Sequence, residues 1–234
     1  MAAPSFGVRR ETGCCRQLSW NSAAIRRKVL GMKLAWVLAL VLLAPMGWAQ
    51  IPAPKQASVF QWDWRHARYL DGTKTVGTSA KIGATDRALL LDALALQFDG
   101  YTDPRERAAK TGLKLVDLNG DGVPEAICQP NGFDICSATG NCPLWIFQKT
   151  AAGYKLVLQA NSVQNFTIQS TRTNSFLDLV LGQHESATEQ DLFVFRFQDG
   201  EYHLGSCYVA DWSYLGKDGE YHDSEEPRLT PCPN

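Results

Sequence analysis

The sequence predicts a mainly β, α+β fold: an antiparallel sheet or small sandwich made from two three-stranded repeats, with an N-terminal helix packed on it. Three observations carry that expectation. Beyond residue 113 the chain breaks into short segments that alternate apolar and polar residues, the period of a half-buried strand. Turn-forming residues separate the segments at hairpin spacing, as at Ala151-Ala152-Gly153 and Asp199-Gly200. Upstream of these, residues 85–98 form the main helical apolar pattern.

The 234 residues are 45% hydrophobic and 20% charged, enough for a core and unlike a disordered chain. The balance of 23 Lys and Arg against 24 Asp and Glu is unevenly spread. Residues 1–31 carry Arg9, Arg10, Arg16, Arg26, Arg27 and Lys28 against Glu11, with no periodicity, and read as an extended or mis-assigned N-terminus ahead of Met32. Residues 32–49 have the pattern of a secretory signal peptide. Lys33 precedes an apolar run of eleven residues, and Gly47-Trp48-Ala49 supplies small residues for cleavage before Gln50. Eleven residues fall short of the ~20 that span a bilayer, so no membrane span is expected after cleavage. The remainder holds 16 basic and 23 acidic residues, a net charge of −7 that disfavours nucleic acid as a partner. The expected location is periplasmic or extracellular.

Residues 50–84 form an N-terminal segment whose Trp62, Trp64 and Tyr69 suit a strand or an aromatic plug over a core; exposed, such rings also bind sugars. Residues 85–234 are expected as a single domain. Its helix, 85–98, is capped by Thr85 or Asp86, presents Leu89, Leu90, Ala93, Leu94, Ala95 and Leu96, and stops at Gly100. Asp103-Pro104 opens a second, short helix to residue 110. The β repeats follow at about 113–160 and 165–208. Leu144-Trp145-Ile146-Phe147 with Gly153-Tyr154 parallels Leu192-Phe193-Val194-Phe195 with Gly200-Glu201-Tyr202. Glu125-Ala126-Ile127 precedes the first copy as Asp178-Leu179-Val180 precedes the second.

In an exported protein the cysteines default to disulfides. Cys207 with Cys232 would tie the tail, 209–234, read as an otherwise loose coil, to a strand, and Cys136 with Cys142 would close a turn-rich loop. Cys128 is either a small buried apolar residue or a rival partner for Cys136 or Cys142.

One loop carries recognisable chemistry. Asp117-Leu118-Asn119-Gly120-Asp121-Gly122-Val123-Pro124-Glu125 places oxygens at alternate positions, as a hard cation such as Ca²⁺ requires. Cys128 stands where an EF-hand needs its bidentate acid. The loop instead resembles the aspartate-rich turn of FG-GAP and VCBS-type repeat proteins, running from Leu115-Val116-Asp117 into Glu125-Ala126-Ile127. That resemblance implies an exported β protein whose loop holds Ca²⁺ through Asp117, Asn119, Asp121, the Val123 carbonyl and Glu125. Thr173-Asn174-Ser175-Phe176-Leu177-Asp178 lacks this acidic ladder, and two copies are too few to close a propeller.

Hydrolase elbows, metalloprotease helices and phosphate-binding glycine loops are absent from the sequence. The expectation is therefore a non-catalytic binding or structural protein acting on a protein or glycan of the cell envelope. A cell-envelope hydrolase using His184 and Glu185, with an aromatic cleft from Trp62, Trp64 or Trp212, is the alternative. Asn165-Phe166-Thr167 is a glycosylation sequon, relevant only in a eukaryotic secretory pathway.

Overall fold

The computed structural model describes residues 60–70, 72–132 and 134–233. The expected extended N-terminus, the signal peptide and residues 50–59 lie outside the described residues. The fold belongs to the unit Phe60–Cys232. It is mainly β, with two antiparallel sheets and two short α-helices, α1 (Ala84–Ala95) and α2 (Pro104–Lys110).

The first sheet is a four-stranded meander: β1 (Gly112–Val116), β2 (Glu125–Gln129), β3 (Cys142–Thr150) and β4 (Gly153–Val163). The second is a five-stranded meander: β5 (Asn165–Thr173), β6 (Phe176–His184), β7 (Glu189–Gln198), β8 (Glu201–Leu215) and β9 (Tyr221–Pro231). Each copy is thus larger than the expected three strands. The tail is not a coil: β8 runs on to Leu215 and β9 pairs along it. Asp199 (φ 50°) and Gly200 (φ 85°) form the left-handed pair that a tight β7–β8 turn requires, as the sequence suggests.

Strand registers align the copies. Ala126 faces Phe147 across β2 and β3 as Leu179 faces Phe195 across β6 and β7. The register slips between Ile146 and Phe147 in β3, and between Val194 and Phe195, the equivalent residues of β7. A bulge is a local, sequence-specific distortion, so its recurrence at one place in both copies argues for a structural repeat.

The copies stack in the same orientation. Ile127, Leu144 and Ile146 fill the core shared with the second sheet, whereas their counterparts Val180, Leu192 and Val194 lie on that sheet's far face. Conversely, Ala126 and Cys128 lie under the helices, while their counterparts Leu179 and Leu181 enter the shared core. One copy's inner face is therefore the other's outer face, a head-to-tail stack rather than two matching faces meeting. Such a stack leaves an apolar face at each end, and each has its own cover. Leu90 and Leu94 of α1, four residues apart on one side of the helix, are fully buried over the first sheet with Phe98. The face expected of this helix is narrower in the fold, because Leu89 and Leu96 are exposed. Its N-cap is Gly83 rather than Thr85 or Asp86.

Over the second sheet lies the aromatic segment. It forms no strand: Trp64–His66 is a short 3-10 turn, and Arg68 makes a lone bridge to Phe166. Trp62 packs on Val180, Leu192, Val194 and Ala210, and its indole N–H donates to Thr167 Oγ1 at 3.0 Å. The plug reading describes this segment.

β9 is an exposed edge strand. Glu225, Glu226, Pro227 and Arg228 interrupt its pairing surface with charge and a missing N–H, which discourages edge-to-edge association.

Candidate functional sites

The loop between β1 and β2 is organised by its own side chains. Asp117 accepts the Gly120 and Gly122 N–H groups at 2.7 and 3.0 Å, Asn119 Oδ1 accepts that of Asp121 at 2.9 Å, and Asp121 accepts that of Val123 at 2.7 Å. Gly120 (φ 80°) and Gly122 (φ 83°) turn the backbone through the left-handed region. Glu125 at the start of β2 is buried at 1% exposure and accepts the Leu118 N–H at 2.8 Å. Burial raises its carboxyl above the usual range; the hydrogen bonds it accepts oppose this, and the charges of Asp121 and Asp117 add to the rise.

Leu118 ties the loop to the second copy. Its side chain is fully buried in the shared core, and its carbonyl accepts the Leu177 N–H at 2.8 Å and Arg172 Nη1 at 3.2 Å. The acid equivalent to Glu125 is Asp178, also buried, which accepts hydroxyls from Thr171 at 2.7 Å and Thr173 at 2.8 Å. Two neutral donors thus satisfy the second copy's acid, where the first copy surrounds its own with further carboxylates.

For a cation, the first loop offers only hard oxygen donors, which suits Ca²⁺. Among the described residues no three His, Cys, Asp or Glu side chains already stand as a ligand cage, and no Lys or Arg forms an ion pair with Asp117, Asp121 or Glu125. An ionised carboxylate has about four lone-pair directions, so the amide bonds leave capacity for an ion. Asp117, Asn119, Asp121 and the exposed Val123 lie between β1 and β2, and Glu125 opens β2.

The second candidate is a cavity of about 300 Å³ beside the aromatic segment, lined among others by Trp62, Trp64, Tyr69, Trp212 and His184. The hydrolase alternative sets His184 beside an aromatic cleft from Trp62, Trp64 or Trp212, without Tyr69; the fold brings all five together from segments more than 100 residues apart. Trp212 meets Trp62 and Trp64 edge to face, with centroids 6.2 and 5.2 Å apart. Arg65 covers the Trp64 ring at 4.2 Å. Three amides complete the wall: Gln164, Asn165 and Gln190. Sequence reasoning missed Gln164 and Gln190, since amide side chains carry no signature, and read Asn165 only as part of a sequon. Asn165 and Gln190 are buried, and Asn165 Oδ1 has no hydrogen-bond partner among the described residues. Gly182 makes room for both: a Cβ there would stand 2.6 Å from Asn165 Oδ1 and 2.8 Å from Gln190 Nε2. Buried in β5, the sequon's Asn165 offers no surface attachment point.

His184 is held through its backbone. Asn141 Oδ1 accepts its N–H and Asn141 Nδ2 donates to its carbonyl, each at 2.9 Å. Asn141 adjoins Cys142, so the Cys136–Cys142 disulfide (Cα–Cα 4.3 Å) braces this wall. Among the described cysteines, Cys207 and Cys232 form a second disulfide (Cα–Cα 5.5 Å), and Cys128 is a buried free thiol, its ionisation pushed far up by burial. Glu185 does not join His184. It accepts from Gln183 Nε2, and its charge, with that of Glu189, adds to the burial that raises the carboxyl of Asp191. No helix among the described residues is long and apolar enough to cross a membrane. No family model, curated protein or solved structure matches this chain.

Proposed function

We propose that this chain is an exported, non-catalytic binding or structural protein of the FG-GAP/VCBS-like kind, in which Ca²⁺ stiffens the loop from Asp117 to Glu125. The supporting observation is the grouping of Asp117, Asp121 and buried Glu125 around one glycine-hinged turn, with no ion-paired Lys or Arg among the described residues. A divalent cation would relieve the repulsion that these carboxylates place on Glu125. Because Leu118 anchors the same turn in the core between the sheets, an ion there would stabilise the junction of the two copies. Two disulfides favour an oxidising compartment, periplasmic or extracellular. The partner class is a protein or glycan of the cell envelope. The hydrolase alternative needs His184, Glu185 and a second acid to converge; Glu185 instead sits with Gln183 and other acids, so the binding reading has the better support.

Thermal unfolding of the full chain tests this. At a Ca²⁺ concentration near 100 times Kd, linkage gives about 2.7 kcal/mol, which corresponds to a rise in Tm of about 5–10 °C over chelator-treated protein. Asp121→Ala is expected to fold and to lose that rise. An equal Tm with Ca²⁺ and with chelator would sink the ion assignment.

A further inference from the structure

We propose that the cavity beside the aromatic segment is a binding site for neutral pyranose sugars. The proposal takes its partner class from the binding reading above but is independent of the ion, since the cavity and the 117–125 loop share no residue. Its volume of about 300 Å³ lies at the small end of ligand sites, which run to about 1,000 Å³, so it suits a short sugar segment.

The wall chemistry selects the ligand. Pyranose rings present a C–H face to aromatic rings, whose faces are electron-rich, and hydroxyls around their edge. Tyr69 stands on the rim at 66% exposure with no hydrogen bond or ring contact to any described residue, an open platform for such a face. Trp212, half-buried, is held in place by Trp62 and Trp64. The amides of Gln164, Asn165 and Gln190 offer both donors and acceptors, as hydroxyls require. Asn165 supplies a second, separate indication: a side chain on the wall, 5% exposed, whose carbonyl oxygen finds no donor among the described residues, the role a sugar hydroxyl would fill. Among the described residues no Lys or Arg lines the cavity, and Glu189 does, which disfavours uronic acids, sialic acids and phosphates.

The wall is also held before any ligand arrives. Thr167 fixes Trp62, Arg65 covers Trp64, and Asn141 fixes the backbone of His184. Such support lowers the ordering cost of binding.

Isothermal titration of the full chain, in EDTA so that the outcome is separate from that of the ion, would use maltotriose, cellotriose and N,N′,N″-triacetylchitotriose up to about 10 mM, well past a Kd of about 1 mM. Saturable binding of at least one is expected. Trp212→Ala should weaken it by about tenfold or more, and Tyr69→Ala by about three- to tenfold. Because Tyr69 is exposed, its variant should keep the parent Tm, which separates lost binding from lost folding. Absence of saturable binding for all three sugars would overturn the proposal. So would affinity unchanged in both variants.

Discussion

Removing the two disulfides one at a time gives the sharpest stability prediction. Cys207 and Cys232 are 25 residues apart, Cys136 and Cys142 only 6. If a cross-link acts by restricting the unfolded chain, stabilisation grows with the logarithm of loop length. The long loop is then worth about 3.5 kcal/mol at 25 °C and the short one about 2.2 kcal/mol. With a urea m-value of about 2 kcal/mol/M, Cys207→Ala/Cys232→Ala should lower the unfolding midpoint by about 1.7 M, and Cys136→Ala/Cys142→Ala by about 1.1 M. The long bridge has a local signature as well. Strand β9 is exposed along most of its length and is held by its ladder to β8 and by Cys232, so its amides should exchange faster in the first variant while those of β6 stay protected. Urea unfolding followed by tryptophan fluorescence, with hydrogen exchange on the same samples, provides both readouts. Unchanged midpoints, or a greater loss from the shorter loop, would refute the chain-entropy reasoning.

Two further outcomes concern strands β6 and β7. Gly182→Ala puts a methyl group against Asn165 and Gln190, and the overpacking should cost about 1–3 kcal/mol in chemical unfolding; an unperturbed midpoint would show that the amides move aside freely. Burial, with Glu185 and Glu189 nearby, holds the Asp191 carboxyl above its ordinary range, so the folded chain keeps a proton that the unfolded chain releases. Stability on this account is unaffected below the unfolded value, falls as pH rises toward the folded value, and carries the full penalty above it. Asp191→Asn should flatten that slope and raise Tm at pH 7; an unaltered Tm-against-pH curve would remove the argument.

The sequence made the strands legible because alternation and hairpin turns are local signals. The likeness of 144–147 to 192–195 also proved to be a likeness of register, down to the bulge at Phe147 and Phe195. What it did not reveal was the extent of each copy. β9 is polar and exposed, without the alternation of a buried strand, so the tail read as coil. The stacking direction was hidden too, because a strand buried on both faces, such as β2, shows no preferred face. The aromatic segment illustrates the same limit: Trp62 and Trp64 suit a strand by composition, but their place is decided by Trp212, far along the chain. At the sites, Asp and Gly spacing marked the 117–125 loop, whereas Asn165 and Gln190 meet only through the pairing of β5, β6 and β7 around Gly182.

Calorimetric titration of Ca²⁺ into chelator-stripped full-length chain reads the proposed ion itself. Saturation at one ion per chain is expected, with the binding heat lost in both Asp121→Ala and Glu125→Gln. No binding heat, or the same isotherm in the two variants as in the parent, would contradict it.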